Sequence, residues 1–167
     1  MAKVNRPHFS WRDIVFADIV LAVIIADQLS KLWIIRHLWP GETLWDNGLF
    51  RILYIQNSGA AFGIFKDHTP LLIILDFIGI FVILFLVFGL RDRWPFIKNM
   101  LVLTGIGLVL GGTIGNLIDR IRVGQVTDFI DPKIWPVFNI SDASVTIGVI
   151  ILAYCLIFMA GRAQIKE

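Results

Sequence analysis

The chain has 167 residues, 57% of them hydrophobic and only 17% charged, with a formal net charge of +2. A water-soluble domain carries nearer a quarter charged residues, and so small a positive balance gives no reason to expect a nucleic-acid partner. A single cysteine, Cys155, excludes an intrachain disulfide and a thiol–metal cluster, and its apolar setting suggests an inert buried thiol.

The apolar residues gather in four blocks, at about 14–35, 70–90, 99–118 and 144–161. Each is long enough to cross a hydrocarbon core, which takes roughly 20 residues. The first block follows Lys3, Arg6 and Arg12, as a secretory leader would. It nevertheless carries Asp18 and Asp27 and lacks a small-residue cleavage site after it, so it reads as a span. Four spans put both termini on one side. Lys and Arg number eight on that side and seven on the other, so their count barely decides orientation. The basic N-terminal flank and the tight Arg91-Asp92-Arg93 turn favour a cytoplasmic side for the termini.

Two longer connections fall on the opposite, outer side, at about 39–69 and 119–143. In the first, "DNG" (Asp46 to Gly48) signals a turn before "LFRILYIQN". There Phe50, Ile52 and Tyr54 alternate with Arg51, Leu53 and Ile55, a β-branched and aromatic pattern that predicts a strand. Trp33, Trp39, Trp45 and Trp135 fall near the same level, where indole rings favour the membrane–water boundary. The expectation is a single integral membrane domain over 1–167. It is an all-α membrane protein of four transmembrane helices, with a small β-sheet on the outer membrane surface.

Strongly polar groups at membrane depth are costly and default to functional hypotheses. Five groups converge on the outer face: "DQLSK" (Asp27 to Lys31), "NSGAAFG" (Asn57 to Gly63), "GGTIGNLIDR" (Gly111 to Arg120), "VTDF" (Val126 to Phe129) and "FNISD" (Phe138 to Asp142). Asp27 and Lys31 are four apart on one helix face, which suits a structural ion pair and a site equally, and a helix-end lysine also snorkels readily. Gly111 and Gly115 allow a second helix to approach closely, but close packing does not explain Asn116, Asp119 and Arg120 one turn on. "NSGAAFG" reads as a turn or as a substrate clamp. Asp142 stands where a helix N-terminus favours a carboxylate, and Asp128 lies among apolar neighbours. Asp131, beside Pro132, reads as an ordinary turn acid. Asp18 is assigned to a cation such as Arg12, and Asp76 has no partner in the sequence pattern.

Two carboxylates brought together at a partly dry site do not both ionise easily. One then accepts a proton from water while the other donates to a carbonyl or leaving amine. Asp128 and Asp142 suit that chemistry, which needs no metal or cofactor. His8, His37 and His68 are scattered, and neither HExxH nor GxSxG occurs. Two other classes compete: a small ion- or proton-coupled transporter and a non-catalytic assembly subunit.

The five groups, in this order across four spans, resemble the bacterial lipoprotein signal peptidase (signal peptidase II) family. The resemblance covers nearly the whole chain, with Ser141 standing where alanine is expected. It implies an aspartic endopeptidase with Asp128 and Asp142 as its catalytic pair. It further implies that Asp27, Lys31, Asn57, Gly59, Asn116, Asp119, Arg120 and Asn139 hold the substrate or brace the pair. The implied substrate is a diacylglyceryl-modified prolipoprotein, cut before its lipidated cysteine at the outer face of the bacterial cytoplasmic membrane. Membrane lipid and a globomycin-type inhibitor are the other implied partners.

Overall fold

The structure is a computed structural model, and it describes residues 10–59, 64–91 and 93–160. Ala60 to Gly63 of "NSGAAFG", Asp92 and the flanking cations Lys3, Arg6, Arg162 and Lys166 lie outside the described residues.

Helix α1 (Trp11–His37) begins in a capping box, with Ser10 and Asp13 each satisfying the other's backbone N–H. Strands β1 (Thr43–Asp46) and β2 (Arg51–Asn57) follow as an antiparallel hairpin. Helix α2 (Thr69–Leu84) starts with Pro70 in its first turn, where a missing N–H costs nothing, and continues as a π-helical turn to Gly89. A 3-10 turn (Pro95–Lys98) leads to α3 (Met100–Val123), capped at its start by Asn99. Gly124 ends α3 at φ 76°, a left-handed conformation that glycine adopts without strain, and its N–H closes on the Arg120 carbonyl. Strand β3 (Val126–Asp131) and α4 (Ile140–Cys155) complete the order, with a final π-helical turn to Ala160.

Among the described residues, three helices are long and apolar enough to cross a membrane: Thr69–Gly89, Met100–Val123 and Ile140–Phe158. The fourth expected span, α1, has the length at 27 residues but carries Asp13, Asp18, Asp27, Lys31 and Arg36. Several of those groups face inward, with Asp27 fully buried and Lys31 2% exposed. The outer faces are oily instead. Ile74, Phe77, Ile78 and Phe81 of α2 all stand exposed, an apolar surface far beyond scattered single residues.

Helix α3 forms the centre. Gly111 lies against Val20 and Val23 of α1, while Gly105 and Gly148 bring α3 and α4 into backbone contact. A methyl group at Gly115 would fall 2.1 Å from Ser141 Oγ and 2.7 Å from an Asp27 oxygen. Small residues are therefore required where three helices meet, as packing within lipid demands.

The sheet has the order β1-β2-β3. The third strand corrects the expected loop at 119–143: α3 continues to Val123, so Asp119 and Arg120 stand on a helix, and Asp128 stands on a strand. The alternation read for β2 also breaks. Leu53 and Tyr54 are both buried, because the pairing with β3 shifts register between Ile52 and Ile55. Trp33, Trp39, Trp45 and Trp135 are all exposed.

Candidate active site

A cavity of about 580 Å³ opens between the sheet and the ends of α3 and α4. Six of the ten residues singled out from the sequence line it: Asn57, Gly59, Asn116, Arg120, Asp128 and Asp142. Asp27, Lys31, Asp119 and Asn139 do not line it, and stand behind its wall.

Asn139 and Asn116 set the two cavity acids. Asn139 caps α4 in a capping box with Asp142: its side-chain oxygen accepts from the Asp142 N–H at 2.9 Å, and its own N–H donates to Asp142 Oδ2 at 3.2 Å. The same Asn139 turns its amide Nδ2 to Asp128 Oδ1 at 2.7 Å. One asparagine thus touches both carboxylates. Asn116 Nδ2 donates to Asp142 Oδ1 at 2.8 Å, and Asn57 Nδ2 donates to Asp128 Oδ2 at 2.9 Å. Asn57 also accepts from the Gly59 N–H at 2.9 Å, which folds the chain back after β2.

Among the described residues, every donor to these two side chains is an uncharged amide or backbone N–H. Burial pushes the Asp128 carboxyl up, the nearby Asp142 charge adds to it, and the amides of Asn57 and Asn139 oppose both. The outcome is about 7, well above the usual carboxylate range.

Behind the wall lies a second cluster. Lys31 Nζ, with three N–H bonds to give, meets three acceptors: Asp27 at 2.8 Å, Asp119 at 3.1 Å and Asn116 Oδ1 at 3.0 Å. This excludes snorkelling. Gln28 adds donors to Asp27, Asp119 and the Gly115 carbonyl. Both acids also fasten neighbouring elements: Asp27 accepts from the Ser141 N–H at 3.0 Å through its other oxygen, Oδ1, and Asp119 accepts from the Thr127 N–H at 3.1 Å through the same Oδ2 that meets Lys31. Asp119 thereby anchors the strand that carries Asp128.

Several sequence expectations change. Asn139 caps α4, and Ser141, which stands where alanine is expected, has its Oγ buried without a hydrogen-bond partner among the described residues. Asp131 is no turn acid but a buried strand residue paired with Arg51 at 2.6 Å. Arg12 donates to the Lys98 carbonyl, leaving Asp18 exposed and without an ion pair among the described residues. Asp76, unexplained by pattern, meets Arg120 at 2.8 Å.

The inward-facing polar cluster at one end of a helical membrane bundle, beside a cavity with paired acids, defines the class as a membrane-embedded enzyme scaffold. The comparisons agree. The chain is similar to a bacterial membrane enzyme solved by the in meso method at 2.3 Å resolution, with a TM-score of 0.78 and 31% identity over 86% of this chain and 87% of that one. It is 43% identical to the lipoprotein signal peptidase of Dehalococcoides mccartyi (strain ATCC BAA-2266 / KCTC 15142 / 195), over 83% of this chain and 86% of the relative. It is 40% identical to that of Moorella thermoacetica, over 88% and 95%. Residues 19–158 match the family described as signal peptidase (SPase) II. The chain belongs to the signal peptidase II family.

Proposed function

We propose that this protein is an aspartic endopeptidase that removes signal peptides from diacylglyceryl-modified prolipoproteins, with Asp128 and Asp142 as its catalytic pair. The observation that carries the reading is the shared scaffold of the two acids, which Asn139 touches from its backbone and side chain together. Asp142 sits at the start of α4, where the helix N-terminus and two N–H donors oppose the cost of burying its charge. Asp128, with its carboxyl pushed up to about 7, keeps its proton in weakly acidic solution and gives it up around neutral pH.

In this mechanism Asp142 takes a proton from water as the oxygen attacks the scissile carbonyl, and Asp128 gives its proton to the carbonyl oxygen. The tetrahedral species collapses: Asp128 takes a proton back from one hydroxyl as C=O re-forms, the C–N bond breaks, and the amine leaves with the proton held by Asp142, which restores the pair. Asn57, Gly59 and Arg120 border the same space and hold the substrate, while Asp27, Lys31, Asp119 and Asn139 brace the pair from behind. Asp27, the acid a proton-coupled transporter would use, is fully buried and already occupied by Lys31 and the Ser141 N–H.

The whole of 1–167 acts as one membrane domain with α1 as the fourth span, its Asp13, Asp27 and Lys31 turned inward. The chain ends and the α2–α3 turn face the cytoplasm. The sheet and cavity lie at the outer face of the cytoplasmic membrane, where a substrate anchored by both a signal helix and a lipid presents its scissile bond. A cyclic peptide of the globomycin type competes for the same cavity. Purified protein incubated with a diacylated precursor peptide tests this: the native chain cleaves before the lipidated cysteine, and Asp128→Asn and Asp142→Asn each abolish cleavage. Cleavage that survives either substitution rules the pair out.

A further inference from the structure

Helix α2 contributes no residue to the cavity lining, yet it carries one acid, Asp76, in the most apolar helix of the molecule, with a mean hydropathy of 3.2. Asp76 lies seven residues beyond Thr69, about 10 Å along the axis at a rise of 1.5 Å per residue. An acid that far into an apolar helix is costly unless it is paired. Its partner is Arg120, whose side chain is 10% exposed and whose Nη1 lies 2.8 Å from Asp76 Oδ2. Arg120 itself lines the cavity with Asp128 and Asp142, but among the described residues its ion pair is with Asp76 and not with either of those acids.

We infer that Asp76 is a positioning residue: it holds the Arg120 guanidinium on the α2 side of the cavity, where the remaining N–H groups meet a carbonyl oxygen of the bound precursor. The inference rests on the peptidase reading for its substrate. A guanidinium has five donors in a fixed plane, so one carboxylate fixes its orientation while leaving donors to spare.

The test combines kinetics with binding of a precursor whose scissile bond is replaced by a non-cleavable CH2–NH link. Asp76→Asn is expected to raise KM and weaken binding by about tenfold with kcat far less affected, as loss of a charge-assisted contact made in the ground state does. Asp76→Glu restores most of the loss. Arg120→Gln gives a similar loss, and the double variant is no weaker than either single one, because both changes remove the same contact. An additive double variant, or Asp76→Asn that lowers Tm while leaving KM and binding unchanged, overturns the inference. Binding by the native chain without any cleavage overturns the peptidase reading, and the binding series still decides the role of Asp76. A dialkyl-ether precursor locates the acceptor: the Asp76→Asn loss disappears if Arg120 meets a lipid ester carbonyl and persists if it meets the peptide.

Discussion

The Lys31 cluster and the cavity pair are built from the same materials, two aspartates and an asparagine-rich surround, yet they do opposite things. Around Lys31, three N–H bonds meet three acceptors, and the charge of two carboxylates is met by a buried cation and backbone donors. Around Asp128 and Asp142, the hydrogen bonds among the described residues come from side-chain amides and a backbone N–H, and no described cation forms an ion pair with either acid. The first arrangement occupies its acids with a cation and backbone donors and joins α1, α3, β3 and α4. The second leaves one acid holding a proton it can give away. A neutralised cluster is a girder, and an under-neutralised one is available for chemistry.

That contrast breaks if the two clusters respond alike to substitution. The largest expected effect is on cleavage: Asp128→Asn or Asp142→Asn lowers it by about a thousandfold or more, at the upper end of general acid–base contributions, with Tm unchanged or raised. Removing Lys31 acts on folding instead. Lys31→Met leaves two buried carboxylates without their cation and should cost about 3–5 kcal/mol, seen as failure to accumulate or a steep fall in Tm. A Lys31→Met protein of native stability that has lost only activity would erase the distinction. The smallest effect comes from Ser141, whose buried hydroxyl has no partner among the described residues. Ser141→Ala removes that unpaired group and should raise stability by about 1 kcal/mol while leaving kcat unchanged.

Much of the cavity was legible because its residues sit in short blocks at the ends of apolar segments, where a polar group is conspicuous. Asp128 among apolar neighbours and Asp142 at a helix start were visible for that reason. What local pattern does not encode is who meets whom across the bundle. Asp119 and Arg120 are adjacent and look like one pair, but a helix points neighbouring side chains about 100° apart, so Asp119 reaches Lys31 and Arg120 reaches Asp76. The third strand was hidden because β3 is buried on both faces and has no alternation to read. The role of α1 was hard to read for the opposite reason. Its charges dilute the apolar signal of a span, and pattern does not show that Asp13, Asp27 and Lys31 are buried while Asp18 and Arg36 stay exposed.

Linkage sets the direction of the pH response. The Asp128 carboxyl is ordinary in the unfolded chain and pushed up to about 7 in the folded one, so folding takes up a proton between about pH 4 and 7. Stability therefore falls as pH rises through that window, and the acid form that cleavage needs is lost as pH rises through about 7. Infrared difference spectra of the purified protein in lipid, stepped from about pH 5 to about pH 9 and compared with Asp128→Asn, read that proton directly. The account predicts a protonated carboxyl band that fades with a midpoint near 7 and is missing from the variant. A native spectrum with Asp128 already ionised at pH 5 would contradict it.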